Sequence, residues 1–270
     1  MADAVFLFMF SILGLLVGSF LNVVIVRMES GEGFVSGRSS CRSCGHVIRW
    51  YDNIPFFSFL LLRGRCRDCG NRISSQYPII EGVTACLFLL AGFFLFRPGD
   101  IGSVFETTLA FGLIPAMIVI FTYDLRHMEI PVSVLAYGLL WTSLALFFLW
   151  CFSAPSEPFS GSRLAAGLIG GGIAFMLFYG LVFFSRETWM GMGDAWLALT
   201  LGLVSGWQML LPALTLAFGS GAIVGIALLL SRKKELGSRI PFGPFLSASV
   251  IFFLLFGTMV EERFRLFLWI

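Results

Sequence analysis

The chain has 270 residues, of which 58% are hydrophobic and only 13% charged, with a mean hydropathy of +0.91. A soluble globular domain carries about 25% charged residues, so this composition excludes one and describes an integral membrane protein. The net charge of +2 is uninformative as a sum. The placement of the charges says more, and no nucleic-acid partner is expected.

Eight apolar runs approach the roughly 20 residues that a helix needs to cross a bilayer. They lie at 4–26, 78–96, 107–123, 131–151, 163–185, 194–207, 209–230 and 242–260, the sixth being short. The first run has neither a basic leader region nor a small-x-small cleavage site, so it is expected as a retained helix and not a cleaved signal peptide. Asn22 is polar within it and is expected to hydrogen-bond to another helix.

Residues 28–77 form the one long polar stretch. It holds an internal echo, CRSCGHVI at 41–48 and CRDCGNRI at 66–73. Two Cys-x-x-Cys pairs separated by 21 residues match a four-cysteine zinc site in ligand number and approximate spacing. Zinc binds four thiolates tetrahedrally, and two thiolates three positions apart can both turn inward on one knuckle. Gly45 and Gly70 follow each pair, where a tight turn favours positive φ. So few residues bury little core, so a metal would act as a staple. Two disulfides or four free thiols would satisfy the same pattern. On the cytoplasmic side, however, disulfides are disfavoured. Cys41, Cys44, Cys66 and Cys69 are therefore the expected zinc ligands, with His46 an unneeded fifth candidate.

The run 107–123 is followed at once by Asp124, with His127 and Glu129 expected as solvated edge residues. Further along, "GMGDAWLALT" places Asp194 at the start of the sixth span, behind Gly191 and Gly193. Sidedness follows from Lys and Arg. Loop 28–77 contains Arg38, Arg42, Arg49, Arg63, Arg65, Arg67 and Arg72, and loop 231–241 contains Arg232, Lys233, Lys234 and Arg239. With eight spans both loops fall on one side, which is then cytoplasmic. Asp124 and Asp194 share that side and depth. The expected architecture is an all-α polytopic membrane protein: helix 1 over 1–27, a small cytoplasmic zinc-binding domain over 28–77 and a helical domain over 78–270.

Two carboxylates close together cannot both ionise comfortably, so one keeps its proton near neutral pH. The ionised member can take a proton from water while the protonated one polarises a peptide carbonyl. Glycines at 191 and 193 would let a substrate backbone approach Asp194. A plain alternative is helix capping by Asp194. Another class of function is an ion-coupled secondary transporter, whose acids would sit nearer the bilayer midplane. A third is a non-catalytic assembly factor.

Five segments, GSFLNVVIVRM (18–28), the block 41–85 containing both knuckles with IRWYDNIP and YPIIE, YDLRHMEIP (123–131), GMGDAWLAL (191–199) and PFGPFLSAS (241–249), follow in order. Together they resemble the bacterial type IV prepilin peptidases, also called leader peptidase/N-methyltransferases. The resemblance implies a polytopic inner-membrane aspartic protease of the Gly-x-Gly-Asp type. It implies removal of the basic leader from type IV prepilins and pseudopilins after a glycine, at the cytoplasmic face. It also implies methylation of the new N-terminus with S-adenosylmethionine, an activity linked in bifunctional members to the zinc domain. By motif position Asp124 and Asp194 are the catalytic pair. Val132 stands where the family often has an acid, and Trp196 where it often has Lys. No Gly-x-G-x-x-Gly dinucleotide fingerprint is present.

Overall fold

The computed structural model describes residues 2–31, 39–152, 162–232 and 240–268. Arg38, Lys233, Lys234 and Arg239, used above for sidedness, lie outside them. The described residues form helices α1 (Ala2–Ser30), α2 (Phe57–Leu61), α3 (Gln76–Leu95), α4 (Ile101–His127), α5 (Val132–Phe152), α6 (Arg163–Ser185), α7 (Met192–Leu230) and α8 (Gly243–Leu268), with a 3-10 turn at Trp50–Asn53. Seven of these are long and apolar enough to cross a membrane. The chain divides into two compact units, 1–93 and 94–270.

In the first unit, α1 and α3 run antiparallel at very close range. A side chain at Gly14 would meet the Ala85 Cα at 2.6 Å, and one at Gly18 would meet the Glu81 Cα at 2.7 Å. One turn further, buried Asn22 donates to the Tyr77 carbonyl at 3.1 Å and to the Gly18 carbonyl at 3.2 Å. Small residues four apart let two helix backbones touch, and an amide then ties them. This is the inter-helix bond that the polar residue in the first span leads one to expect.

In the second unit, α4 begins earlier than its apolar run, because Asp100 caps it by accepting from the Gly102 and Ser103 N–H groups. Thr107 and Thr108 return their hydroxyls to carbonyls four residues back, which lets polar side chains occupy an apolar helix. Ser162 caps α6 in the same manner, through the Ala165 N–H.

Helix α7 is 39 residues long and contains the sixth and seventh expected spans together. It is not one rod. Gly206 has φ 70° and ψ 169°, a region open essentially to glycine alone. The contacts with α6 show that the chain turns back there. Gly171 of α6 lies against the Leu199 carbonyl and Gly170 against Gly206, so residues 192–205 run antiparallel to α6. Beyond the turn, the Phe178 ring stacks on Phe218 at 5.9 Å, so residues 207–230 run back alongside it. The seven long helices among the described residues thereby contain eight apolar segments. The first arm is about 21 Å long at 1.5 Å per residue, shorter than the roughly 30 Å hydrocarbon core. Helix α8 returns along the second arm, tied by the Ser249 hydroxyl to the Ala213 carbonyl at 2.8 Å.

Candidate active site

Asp124 lies one turn before the end of α4, which closes on Met128 in the left-handed conformation. The turn carries the chain through Ile130 into α5. The Asp124 side chain is 4% exposed and accepts the backbone N–H of Gly243 at the start of α8. Asp194 occupies the third position of α7. Its Oδ2 accepts the Gly191 N–H at 3.1 Å, while the Asp194 N–H returns to the Gly191 carbonyl at 3.1 Å. This is the acidic half of a capping box, with glycine in the capping place. The hydrogen bonds among the described residues use only Oδ2, and Oδ1 is left for another partner. The two carboxylates are near enough to act on each other electrostatically.

Two residues without an assigned role in the sequence complete this cluster. A Cβ at Gly243 would meet Asp124 Oδ2 at 2.5 Å and Ile130 Cδ1 at 3.3 Å, and one at Gly193 would meet Ile130 Cβ at 2.9 Å. Ile130 is thus a wedge between the glycines beside each acid. Gly193 is required by this packing, whereas Gly191 faces open space. The PFGPFLSAS segment carried the only signal for Gly243, a Gly-Pro step opening an apolar run. Nothing local marks Ile130.

Trp196 packs against Phe175 with ring centres 4.8 Å apart and planes tilted by 50°, and Val132 is exposed. His127 and Glu129 are exposed, as expected of edge residues.

In the first unit the two Cys-x-x-Cys segments fold alike. Cys41 N–H donates to the His46 carbonyl at 2.9 Å and Gly45 N–H to the Cys41 carbonyl at 2.8 Å. Cys66 and Gly70 repeat the pattern with Asn71 and Cys66. Gly45 and Gly70 have φ of 72° and 71°. The four sulfurs lie within 4.8 Å of one another, and Cys41 and Cys69 are 3.9 Å apart. A tetrahedral zinc–thiolate centre has sulfur–sulfur edges of about 3.8 Å, from its 2.3 Å bonds. The set therefore fits a metal of that size, and His46 lies outside it. Without metal, N–H groups of Cys44 and Ser43 lower the Cys41 thiol to about 6. For Cys69 the Asn71 N–H acts in the same sense, but burial and the three other sulfurs outweigh it and push the thiol up to about 11.

The acids of this unit have structural partners. Arg67 forks onto Asp52 with bonds of 2.6 and 2.9 Å, and Arg42 reaches Glu29 at 3.7 Å. Glu81 is buried and pairs with no arginine among the described residues. It accepts the Phe56 N–H at 2.7 Å and the Ser19 hydroxyl.

A helical unit that buries one carboxylate and brings a second to the same end, in a chain that also carries a four-thiol knuckle pair, defines a polytopic membrane protein of the peptidase A24 type. The bacterial peptidase A24 N-terminal domain matches residues 12–95, and the type IV leader peptidase family matches residues 111–226. A prepilin leader peptidase/N-methyltransferase of Myxococcus xanthus is 39% identical over 86% of this chain and 64% of its own length. Proteins of that description from Pseudomonas aeruginosa and Aeromonas hydrophila are 32% and 33% identical, over 95% and 94% of this chain and 92% and 91% of theirs. No solved structure matches significantly. The chain belongs to the type IV leader peptidase family, among relatives described as prepilin leader peptidase/N-methyltransferases. Nothing in these matches favours an ion-coupled transporter.

Proposed function

We propose that the protein is a membrane-embedded aspartic endopeptidase, with Asp124 and Asp194 its catalytic pair, that removes the basic leader of type IV prepilins or pseudopilins after glycine. The observation that carries this reading is the convergence of Asp124, Asp194, Gly243 and the Ile130 wedge at one end of the second unit. The mechanism needs one carboxyl ionised and the other protonated, the division of labour open to two acids held close together. The ionised carboxylate takes a proton from water as the water oxygen attacks the scissile carbonyl carbon. The protonated one hydrogen-bonds the carbonyl oxygen and neutralises its developing charge. The Gly243 N–H holds Asp124 in orientation and the Gly191 N–H holds Asp194. Gly191, open on its outer side, leaves space for an extended substrate backbone next to Asp194.

Cys41, Cys44, Cys66 and Cys69 hold a structural zinc, supported by their spacing and mutual distances. Methylation of the freed N-terminus, with S-adenosylmethionine supplying the methyl group, is supported by the names of the relatives. No residue set is assigned to that donor. The functional division keeps 1–27 as an anchor, 28–77 as the zinc module and 78–270 as the peptidase, although α3 packs with α1. The arginines of the 28–77 loop support a cytoplasmic position for the module, and the same rule puts the active site on that side of the bacterial inner membrane.

The test is cleavage of a prepilin by Asp124→Ala and Asp194→Ala proteins. Each is expected to be inactive while remaining folded, and full activity in either would sink the assignment. A mass increase of one methyl on the processed N-terminus tests the second activity separately.

A further inference from the structure

The zinc module carries a surface that neither proteolysis nor metal binding uses. Helix α2 and the 3-10 turn before it expose Trp50 (80%), Leu61 (81%), Leu60 and Phe57. Water-facing modules rarely leave such apolar residues together unless something covers them. Several features of the first unit identify the cover.

The level of α2 is fixed by α3. The Phe56 N–H donates to buried Glu81 at 2.7 Å, and the Phe56 ring approaches Gly82 within about van der Waals distance of a Cβ built there. Phe56 itself is held at φ 63° and ψ −50°, a strained conformation that this bond maintains. Glu81 lies five residues into α3, roughly 8 Å along its axis. That is already inside the apolar span, where Ile79 and Val83 are exposed on the outer surface of α3. The exposed side of α2 therefore continues a lipid-facing helix surface at interfacial depth. The module is also tethered at both ends to spanning helices, so it cannot leave the membrane surface.

The flanking charge agrees. Arg63, Arg65 and Arg72 are exposed and make no ion pair among the described residues, in contrast to Arg42, Arg49 and Arg67. Aromatic and aliphatic side chains next to free arginines are the pattern of an element lying in a headgroup region. Each such arginine contributes about a five-fold gain in affinity for an anionic leaflet.

We infer that α2 and the Trp50–Asn53 turn form an interfacial wedge that seats the zinc module in the anionic leaflet of the bilayer, with Arg63, Arg65 and Arg72 on phospholipid headgroups. This rests on the membrane spans alone and not on the peptidase activity.

The experiment uses the full chain in nanodiscs, with a genetically encoded fluorescent amino acid in place of Leu61 or, as a control, of Asp68 beside the metal centre. Quenching by a lipid spin-labelled near the headgroup is compared with quenching by aqueous iodide. The expected result is strong lipid quenching and weak iodide quenching at 61, with the reverse at 68. Arg63→Gln/Arg65→Gln should lower lipid quenching at 61 in discs containing phosphatidylglycerol and leave it unchanged in phosphatidylcholine discs. Equal iodide access at 61 and 68 would overturn the inference. So would a position 61 shielded from both quenchers, which would mean that protein covers it.

Discussion

Gly243 offers the sharpest test of the carboxylate site, because its role is steric and can be sized. In Gly243→Ala the new Cβ would sit 2.5 Å from Asp124 Oδ2 and 3.3 Å from Ile130 Cδ1. Asp124 is 4% exposed and its carboxylate already accepts the Gly243 N–H, so a shift away from the new Cβ also disturbs that bond. Restoring an ordinary contact requires the carboxylate to move by roughly 0.8 Å, and displacements of about 1 Å at a reacting group cost on the order of 100-fold in rate. The backbone N–H survives, as does a φ that alanine can adopt, so the helix itself is not broken. The assay is leader cleavage in proteoliposomes, measured beside the thermal midpoint. The expected outcome is a fall of about two orders of magnitude in kcat with a nearly unchanged midpoint. Gly172→Ala on α6, where a Cβ meets nothing within 4 Å, serves as the silent control. Wild-type turnover in Gly243→Ala would refute the placement of Asp124 in the chemistry.

The remaining predictions concern the frame. Gly206→Ala forces a side chain into a glycine-only conformation and should cost about 1–3 kcal/mol, read as a lowered thermal midpoint. Cys41→Ser should lower bound zinc, measured by atomic emission on the purified protein, and make the module protease-sensitive, while chelation of the wild type should do the same. Arg67 holds the Asp52 carboxyl below the usual carboxylate range, mainly by its hydrogen bonds. A lowered folded-state value gives stability that is present above about pH 4 and lost as pH falls through the folded value. The midpoint difference between wild type and Asp52→Asn should therefore be constant above that pH and shrink in acid.

The knuckles were legible because their information is local: ligand spacing and two positive-φ glycines fix the turn whatever surrounds it. The spans were legible from hydropathy, and even the division of α7 was visible as a weak point between two apolar runs. The lateral arrangement was not. Ile130 sits in a four-residue turn with no periodic signal, and its importance arises only when Gly193 and Gly243 arrive from other helices. Gly193 shows the same limit from the other side. Its lack of a side chain suggests room for a substrate, and the packing adds a second reason for it that the sequence does not show, since a Cβ there would meet Ile130 Cβ at 2.9 Å. Nothing in the sequence around Glu81 points to its partner, a backbone N–H 25 positions earlier in the chain.

The turn at Gly206 has a further consequence for the depth of the acids. Trp196 packs beside Phe175, which puts Asp194 level with about residue 178, so α6 continues for roughly 10 Å past it. The second arm passes the same level at Phe218, which contacts both Phe178 and Phe242, and runs about 18 Å beyond it. Asp194 thus lies below the ends of two neighbouring helices, while α4 ends and α8 begins at the level of Asp124. On the function proposed above, a substrate approaches from the side that the short helices leave open, and the flexible glycine before its cleaved bond lets the chain bend past the two taller ones.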